Sequence, residues 1–206
     1  MRPKRVLAIL GSPHIDGATA TMLNHSICEA EKAGYTIAKI NLYEKQLAFC
    51  VGCRRCLTSG MCVQKDDIQE IISLLHESQI VVLAAPTYWA NVPAPVKNLF
   101  DRLLGTAMEE TATFPKPRLS GKKYVLLTAC NTPAPFSWIF GQSRGAIRNM
   151  DEFFKTAGMK SMGKIVCANT GKTKNVPERV LRKIERCWKC NSLSKRRLRL
   201  SLLSLF

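Results

Sequence analysis

The chain has 206 residues, 46% hydrophobic and 22% charged, the balance of an ordinary globular protein and enough length to bury about 70% of its unfolded surface. A collagen, a disordered tail and a disulfide-knotted miniprotein are excluded, and no apolar run reaches the roughly 20 residues of a membrane-spanning helix. The net charge of +16 is uneven: residues 160–206 hold thirteen basic and two acidic side chains, which leaves +11 there and +5 on the other 159 residues.

The chain opens with basic residues and the apolar stretch Val6 to Leu10, which is too short for a signal peptide and lacks a small-residue cleavage site. A cytoplasmic location is expected. Arg5 to Leu10 reads as a strand, closed by Gly11-Ser12-Pro13, and Gly17 to Ala33 as a helix stopped by Gly34. Tyr35 to Leu42 is a second strand. A polar, cysteine-rich loop over 44–66 follows, with Asp66 or Asp67 as N-cap of a helix running to Glu77. Gln79 to Ala85 is a third strand, closed by Pro86. Ala94 to Leu104 carries an apolar stripe at Val96, Leu99, Phe100, Leu103 and Leu104, with Pro95 in its first turn. Lys123 to Ala129 is a fourth strand, Gly145 to Ala157 a helix, Lys164 to Ala168 a fifth strand, and Val176 to Cys187 a last amphipathic helix.

Short apolar strands alternating with helices define a doubly wound α/β fold, because parallel strands need crossovers and crossovers cover both faces of the sheet. Residues 1–190 read as one domain and 191–206 as a basic, disordered tail. In such sheets ligands lie beyond the carboxyl ends of the strands, so the residues after strands one, three and four carry the information.

After strand one, the loop from Gly11 to Thr19 leads into a helix N-terminus, where backbone N–H groups and hydroxyls at Ser12, Thr19 and Thr21 favour a phosphate. It is neither a Walker loop nor a three-glycine dinucleotide loop. A Gly/Pro turn capped by a hydroxyl explains the same residues without a ligand. After strand three, Pro86-Thr87-Tyr88-Trp89-Ala90-Asn91-Val92-Pro93 places two adjacent aromatics and an amide where a flat aromatic ligand would meet them, though Trp89 could simply cover a core edge or a subunit contact.

Gly-Ser-Pro followed by Gly-x-Thr, then Pro-Thr-Tyr-Trp-x-x-x-Pro and Val96-Lys97-Asn98-Leu99-Phe100-Asp101-Arg102, resembles the flavodoxin-like NADPH-dependent FMN reductases, including the iron-sulfur flavoproteins, over roughly residues 4–187. The resemblance implies a flavodoxin-like three-layer fold with a five-stranded parallel sheet of order 2-1-3-4-5. It also implies an FMN site, with Ser12, Ala18, Thr19 and Thr21 around the phosphate and Pro86, Thr87, Tyr88, Trp89 and Asn91 beside the ring and ribityl chain. The family often has Arg where His14 stands and Asn where Ala18 stands, so backbone donors and His14 take over those contacts. By position in the fold, Asn131 after strand four flanks the other side of the ring. The three aromatics of 133–141 read as a lid, a satellite cluster or, preferably, a subunit contact.

The chain has nine cysteines, and four of them, Cys50, Cys53, Cys56 and Cys62, are spaced C-x2-C-x2-C-x5-C. A chance C-x2-C-x2-C is expected on the order of once in a hundred such sequences. Four convergent thiolates satisfy a [4Fe-4S] cluster or tetrahedral zinc, and the close x2-x2 run favours the cluster, since zinc sites more often separate two pairs by a longer insert. Free or redox-active thiols remain the third reading. The spacing also matches the compact motif of the iron-sulfur flavoproteins. Arg54 and Arg55 between the cysteines could offset the charge of a thiolate-bound cluster. Cys187-Trp188-Lys189-Cys190 reads as two incidental thiols, and Cys28, Cys130 and Cys167 as small buried hydrophobes. His25 and His76 read as surface or packing residues.

The expected function is an FMN-dependent oxidoreductase. With a cluster, electrons pass singly to or from a ferredoxin-like donor; without one, NAD(P)H reduces a flavin, a quinone or a similar small acceptor. The resemblance implies a homodimer or homotetramer. The rival is a flavodoxin-like binding protein whose basic C-terminal region, with Leu198, Leu200, Leu202 and Leu203 near Arg197 and Arg199, meets nucleic acid or an anionic membrane.

Overall fold

The computed structural model describes residues 4–171 and 175–189. In chain order its elements are β1 (Arg5–Leu10), α1 (Ala18–Lys32), β2 (Thr36–Asn41), a 3-10 turn (Leu42–Glu44), α2 (Arg55–Ser59), α3 (Ile68–Glu77), β3 (Ile80–Pro86), α4 (Ala94–Arg102) and α5 (Leu104–Ala107). They continue with β4 (Met108–Glu109), β5 (Lys116–Pro117), β6 (Lys123–Cys130), α6 (Phe136–Ile139), α7 (Gln142–Thr156), β7 (Lys160–Ala168) and α8 (178–189).

Five strands form a parallel sheet in the order β2-β1-β3-β6-β7, and β4 and β5 make a small antiparallel pair outside it. Counting the sheet strands alone, the order is the expected 2-1-3-4-5. The central strands β1, β3 and β6 are buried along almost their whole length, which is why they read as continuous apolar runs.

Side-chain alternation splits the interior into two cores. Leu7, Ile9, Val81, Leu83, Tyr124 and Leu126 face α3, α4 and α7. Val6, Ala8, Leu10, Val82, Val125 and Leu127 face α1 and α8. On the first face Phe100 stacks on Phe153 with centroids 4.4 Å apart, and Tyr124 on Phe154 at 4.8 Å. On the second, buried Trp188 pins α8 to α1 by donating its indole N–H to Ser26 Oγ at 3.1 Å.

Several boundaries differ from the sequence reading. The last sheet strand starts at Lys160 rather than Lys164, because residues 160–164, with Met162 as their one large apolar side chain, pair with β6 without a continuous apolar signature. α7 starts at Gln142, three residues before Gly145. The cysteine-rich segment contains α2, and the 133–141 aromatic stretch contains α6. Cys28 is exposed rather than buried, since α1 turns Met22, Leu23, Ser26 and Ala30 inward and leaves position 28 outside. Cys130 and Cys167 are buried as expected. The tail 191–206, with its leucines, and Cys190 lie outside the described residues.

Candidate functional site

The switch in strand order falls between β1 and β3, and their carboxyl ends are tied together where Gly11 N–H donates to Ala84 O at 2.7 Å. Gly11 has no room for a side chain: a Cβ there would sit 2.3 Å from Val96 Cγ2 of α4. Beyond it the loop turns sharply, with the backbone N–H of His14 donating to Ser12 Oγ at 3.2 Å. Ser12 and Thr19 are buried, Ala18 is half-buried, and Thr21 and His14 are exposed. Thr21 Oγ1 donates to Gly17 O at 3.2 Å, so its hydroxyl closes the first turn of α1.

The N-terminus of α1 carries no side-chain cap and no acidic residue in its first turn. Its leading N–H groups are therefore left for an anion, with exposed Asp16, just before the Gly17 N-cap, the one carboxylate of the loop. A phosphate group fits this loop.

After β3 the chain makes a two-residue turn. Tyr88 and Asn91 exchange backbone hydrogen bonds at 2.8 and 2.9 Å, and between them Trp89 and Ala90 have φ of 51° and 59°. Positive φ at both central positions is the geometry of a type I′ turn, which ordinarily takes Asn or Gly. Two L-residues with side chains are held here at a cost of roughly 1–2 kcal/mol each. Trp89 is fully exposed, so it covers no core edge. Tyr88 is also exposed, Pro86 and Thr87 are half-buried, and Asn91 bonds the following backbone through Oδ1 to the N–H of Val92 at 2.8 Å.

Thr87 is set against β6: its N–H donates to Ala129 O at 2.8 Å, and its hydroxyl lies 3.1 Å from that of Thr128. Asn131, after β6, is exposed and accepts from Thr170 Oγ1 at 3.0 Å. Residues 12–21, 86–91 and 131 thus emerge at one end of the sheet, as expected.

The cysteine loop lies beside this end. Cys50, Cys53, Cys56 and Cys62 together line a cavity of about 40 Å3, the two former exposed and the two latter half-buried. Positive φ at Gly52 and Arg54 curls the backbone around it. Among the described residues no three His, Cys, Asp or Glu side chains group for a single metal ion. The four cysteines line this one cavity, and four thiolates are the donor set of a polynuclear cluster, whose corners need not bring the sulfurs to one point.

The loop is held by a polar row on α4 that the sequence reading left unassigned. Asn98 donates to Leu47 O and Ala48 O, both at 3.2 Å, and accepts from Cys50 N–H at 3.3 Å. One turn on, Arg102 is only 1% exposed, donates to both oxygens of Asp66 at 2.8 and 3.0 Å, and places Nε 3.2 Å from Cys62 Sγ. Burial opposes the Arg102 charge, but the bonds to Asp66 and Cys62 outweigh it and raise its pKa. Burial likewise pushes Asp66 up, and the guanidinium with the N–H groups of Ile68 and Ala48 more than reverses this, so its carboxyl stays below the usual range.

Arg102 is thus the cation bonded directly to a cysteine sulfur; Arg54 lines the same cavity and pairs with Glu110. Spacing on a helix, Asn98 to Arg102, was the available signal, since two long polar side chains four apart share a face. Gly105 completes the fit: a Cβ there would lie 2.0 Å from Cys56 O, so α5 and α2 approach backbone to backbone.

Residues 4–189 match the family described as Flavodoxin-like fold, and the chain belongs to it. An iron-sulfur flavoprotein of Archaeoglobus fulgidus is 40% identical over 100 residues, 48% of this chain and 46% of that protein. The chain spans about half the length of the curated relatives it matches. Among solved structures, an NAD(P)H:quinone oxidoreductase from Methanothermobacter marburgensis superposes with a TM-score of 0.69 at 16% identity, over 90% of this chain and 96% of that one. An FMN-dependent NADH-azoreductase from Bacillus anthracis, solved in complex with FMN, gives 0.66 at 16% identity, over 95% and 99%. No described helix is long and apolar enough to cross a membrane.

Proposed function

We propose that the protein is an FMN-dependent oxidoreductase, reduced by NAD(P)H or a ferredoxin-like donor, whose cysteine loop carries a [4Fe-4S] cluster. The observation that carries the reading is the placement of four thiols around one small cavity beside the end of the sheet where α1 presents an uncapped N-terminus. The names of the relatives agree with it.

Bound FMN supplies the chemistry, taking a hydride at N5 and passing electrons on singly or in pairs. The chain's own work is to bind and orient. Ser12, His14, Ala18, Thr19 and Thr21 line the phosphate loop. Pro86, Thr87, Tyr88, Trp89, Asn91 and Asn131 border the ring and ribityl chain. The strained 88–91 turn presents Trp89 wholly to solvent, where it can stack on a flat ring without rearranging the core. Cys50, Cys53, Cys56 and Cys62 hold the cluster, and Arg102 offsets part of the negative charge of its thiolates from a dry position. No side-chain general base is required.

Anaerobic purification with assay of FMN, iron and acid-labile sulfide per chain tests the reading. One FMN with four irons and four sulfides is expected. FMN without iron leaves a simple NAD(P)H-dependent reductase, and a colourless protein that takes up no added FMN removes the assignment.

A further inference from the structure

The four cysteines of the loop are not held alike. Cys50 donates its N–H to Asn98 at 3.3 Å, and Cys62 accepts from buried Arg102 at 3.2 Å. Cys56 lies in α2, whose backbone rests on α5 at Gly105 and whose Leu57 carbonyl accepts from Arg118 at 3.1 Å. Cys53 has no such anchor. Val51, Gly52 and Cys53 are exposed and form no hydrogen bond with the rest of the described chain. They are the tip of a flap with bends at Gly52 and Arg54, where φ is 67° and 58°. Glycine adopts that conformation freely, whereas Arg54 does so only against steric strain.

Among the described residues, one polar tie crosses from this flap to the body of the protein. The Arg54 guanidinium donates to both carboxylate oxygens of Glu110, just past β4. The β4–β5 pair that presents Glu110 is itself fixed, because Arg118, next after β5, donates to Gly105 O at 2.8 Å and pairs with Glu109 at 3.6 Å. The side chains of Arg54 and Glu110 are 65% and 53% exposed, against 0% and 15% for Arg102 and Asp66. Salt therefore screens the first pair and leaves the second nearly untouched.

We infer that Arg54 and Glu110 form an ionic latch on the flap, and that Cys53 is the corner of the cysteine set that opens when the cluster is inserted or lost. The inference rests on the cluster reading and adds how that site opens. Cys50, Cys56 and Cys62 stay in place while the flap swings about Gly52 and Arg54, and relief of the left-handed conformation at Arg54 favours release once the ion pair breaks. High ionic strength loosens the latch and spares the anchor at Arg102.

The anaerobically purified, FMN-loaded full chain is mixed with the ferrous chelator ferrozine, and iron release is followed at about 0.05 and about 0.5 M sodium chloride. The wild type is compared with Glu110→Gln and with the charge exchange Arg54→Glu/Glu110→Arg. Release from the wild type is expected to quicken about two- to fivefold with salt, release from Glu110→Gln to be that fast at both concentrations, and the charge exchange to recover slow, salt-dependent release. FMN content and the thermal midpoint stay as in the wild type, since Glu110 is exposed and outside both cores. Equal release from the wild type and Glu110→Gln at low salt overturns the latch and leaves the cluster standing. A chain purified without iron removes the cluster reading, and the latch is then read from iodoacetamide labelling. Faster labelling of Cys53 in Glu110→Gln than in the wild type, with Cys62 unchanged, keeps the latch; equal labelling of Cys53 overturns it.

Discussion

Arg102 joins four parts of the molecule through one guanidinium: the loop carbonyl of Ala48, the carboxylate of Asp66, the carbonyl of Gln64 and the sulfur of Cys62. A buried pair of this kind contributes little net stability by itself, yet removal of one partner strands the other's charge. Arg102→Leu is therefore expected to destabilise the chain by about 3–5 kcal/mol in urea unfolding, whereas Arg102→Lys, which keeps the charge and loses the bidentate geometry, costs less. On the proposed function both variants also lose iron before they lose FMN. The strained turn works in the opposite direction. Ala90→Gly removes the Cβ that opposes φ of 59° and is expected to raise stability by about 1 kcal/mol, read as a higher thermal midpoint, while slackening the turn that presents Trp89.

At the scale of elements, α7 is tied to the sheet by Asp151. Its carboxylate accepts from Tyr124 OH of β6 at 2.6 Å and pairs with Lys164 of β7 at 2.7 Å and Lys155 of its own helix at 2.8 Å. Burial would raise the Asp151 pKa, but the bonds from Lys155, Lys164 and Tyr124 prevail and hold it at about 2. Burial first, and then the same carboxylate, push the Tyr124 phenol far above its ordinary range. A folded pKa below the unfolded value means that the stabilisation is complete above about pH 4 and is lost as pH falls through about 2. The contribution is about 2 kcal/mol. Asp151→Asn should lower stability at pH 7 and flatten the acid limb of the stability curve between pH 4 and 2; an unchanged limb would place the acid sensitivity elsewhere, with Asp66 the next carboxylate to test.

For the whole molecule, the binding elements stand at the ends of strands whose cores are complete without a ligand, since both faces of the sheet are already packed. FMN is then expected to stabilise by mass action rather than by building the fold. A hundredfold excess of free FMN over its Kd adds about 2.7 kcal/mol, seen as a thermal midpoint that climbs with FMN concentration. A midpoint indifferent to FMN would contradict the cofactor assignment.

The chain by itself determined the alternation of strand and helix, because apolar runs of strand length and helical stripes depend only on local spacing, and β1, α3 and β3 lie where those patterns put them. It determined the cysteine spacing and the hydroxyl-bearing loop after β1 for the same reason. Local pattern could not reveal which helix face looks outward at Cys28, nor that the polar start of β7 pairs as an edge strand. Nor could it show that Arg102, forty residues beyond Cys62, comes within hydrogen-bond distance of its sulfur. These contacts, and the cavity that the cysteine loop shares with α4 and α5, arise only when elements distant in the chain pack together. Tertiary structure decided them because charge pairing, burial and a shared cavity are properties of neighbours in space, on which sequence separation is silent.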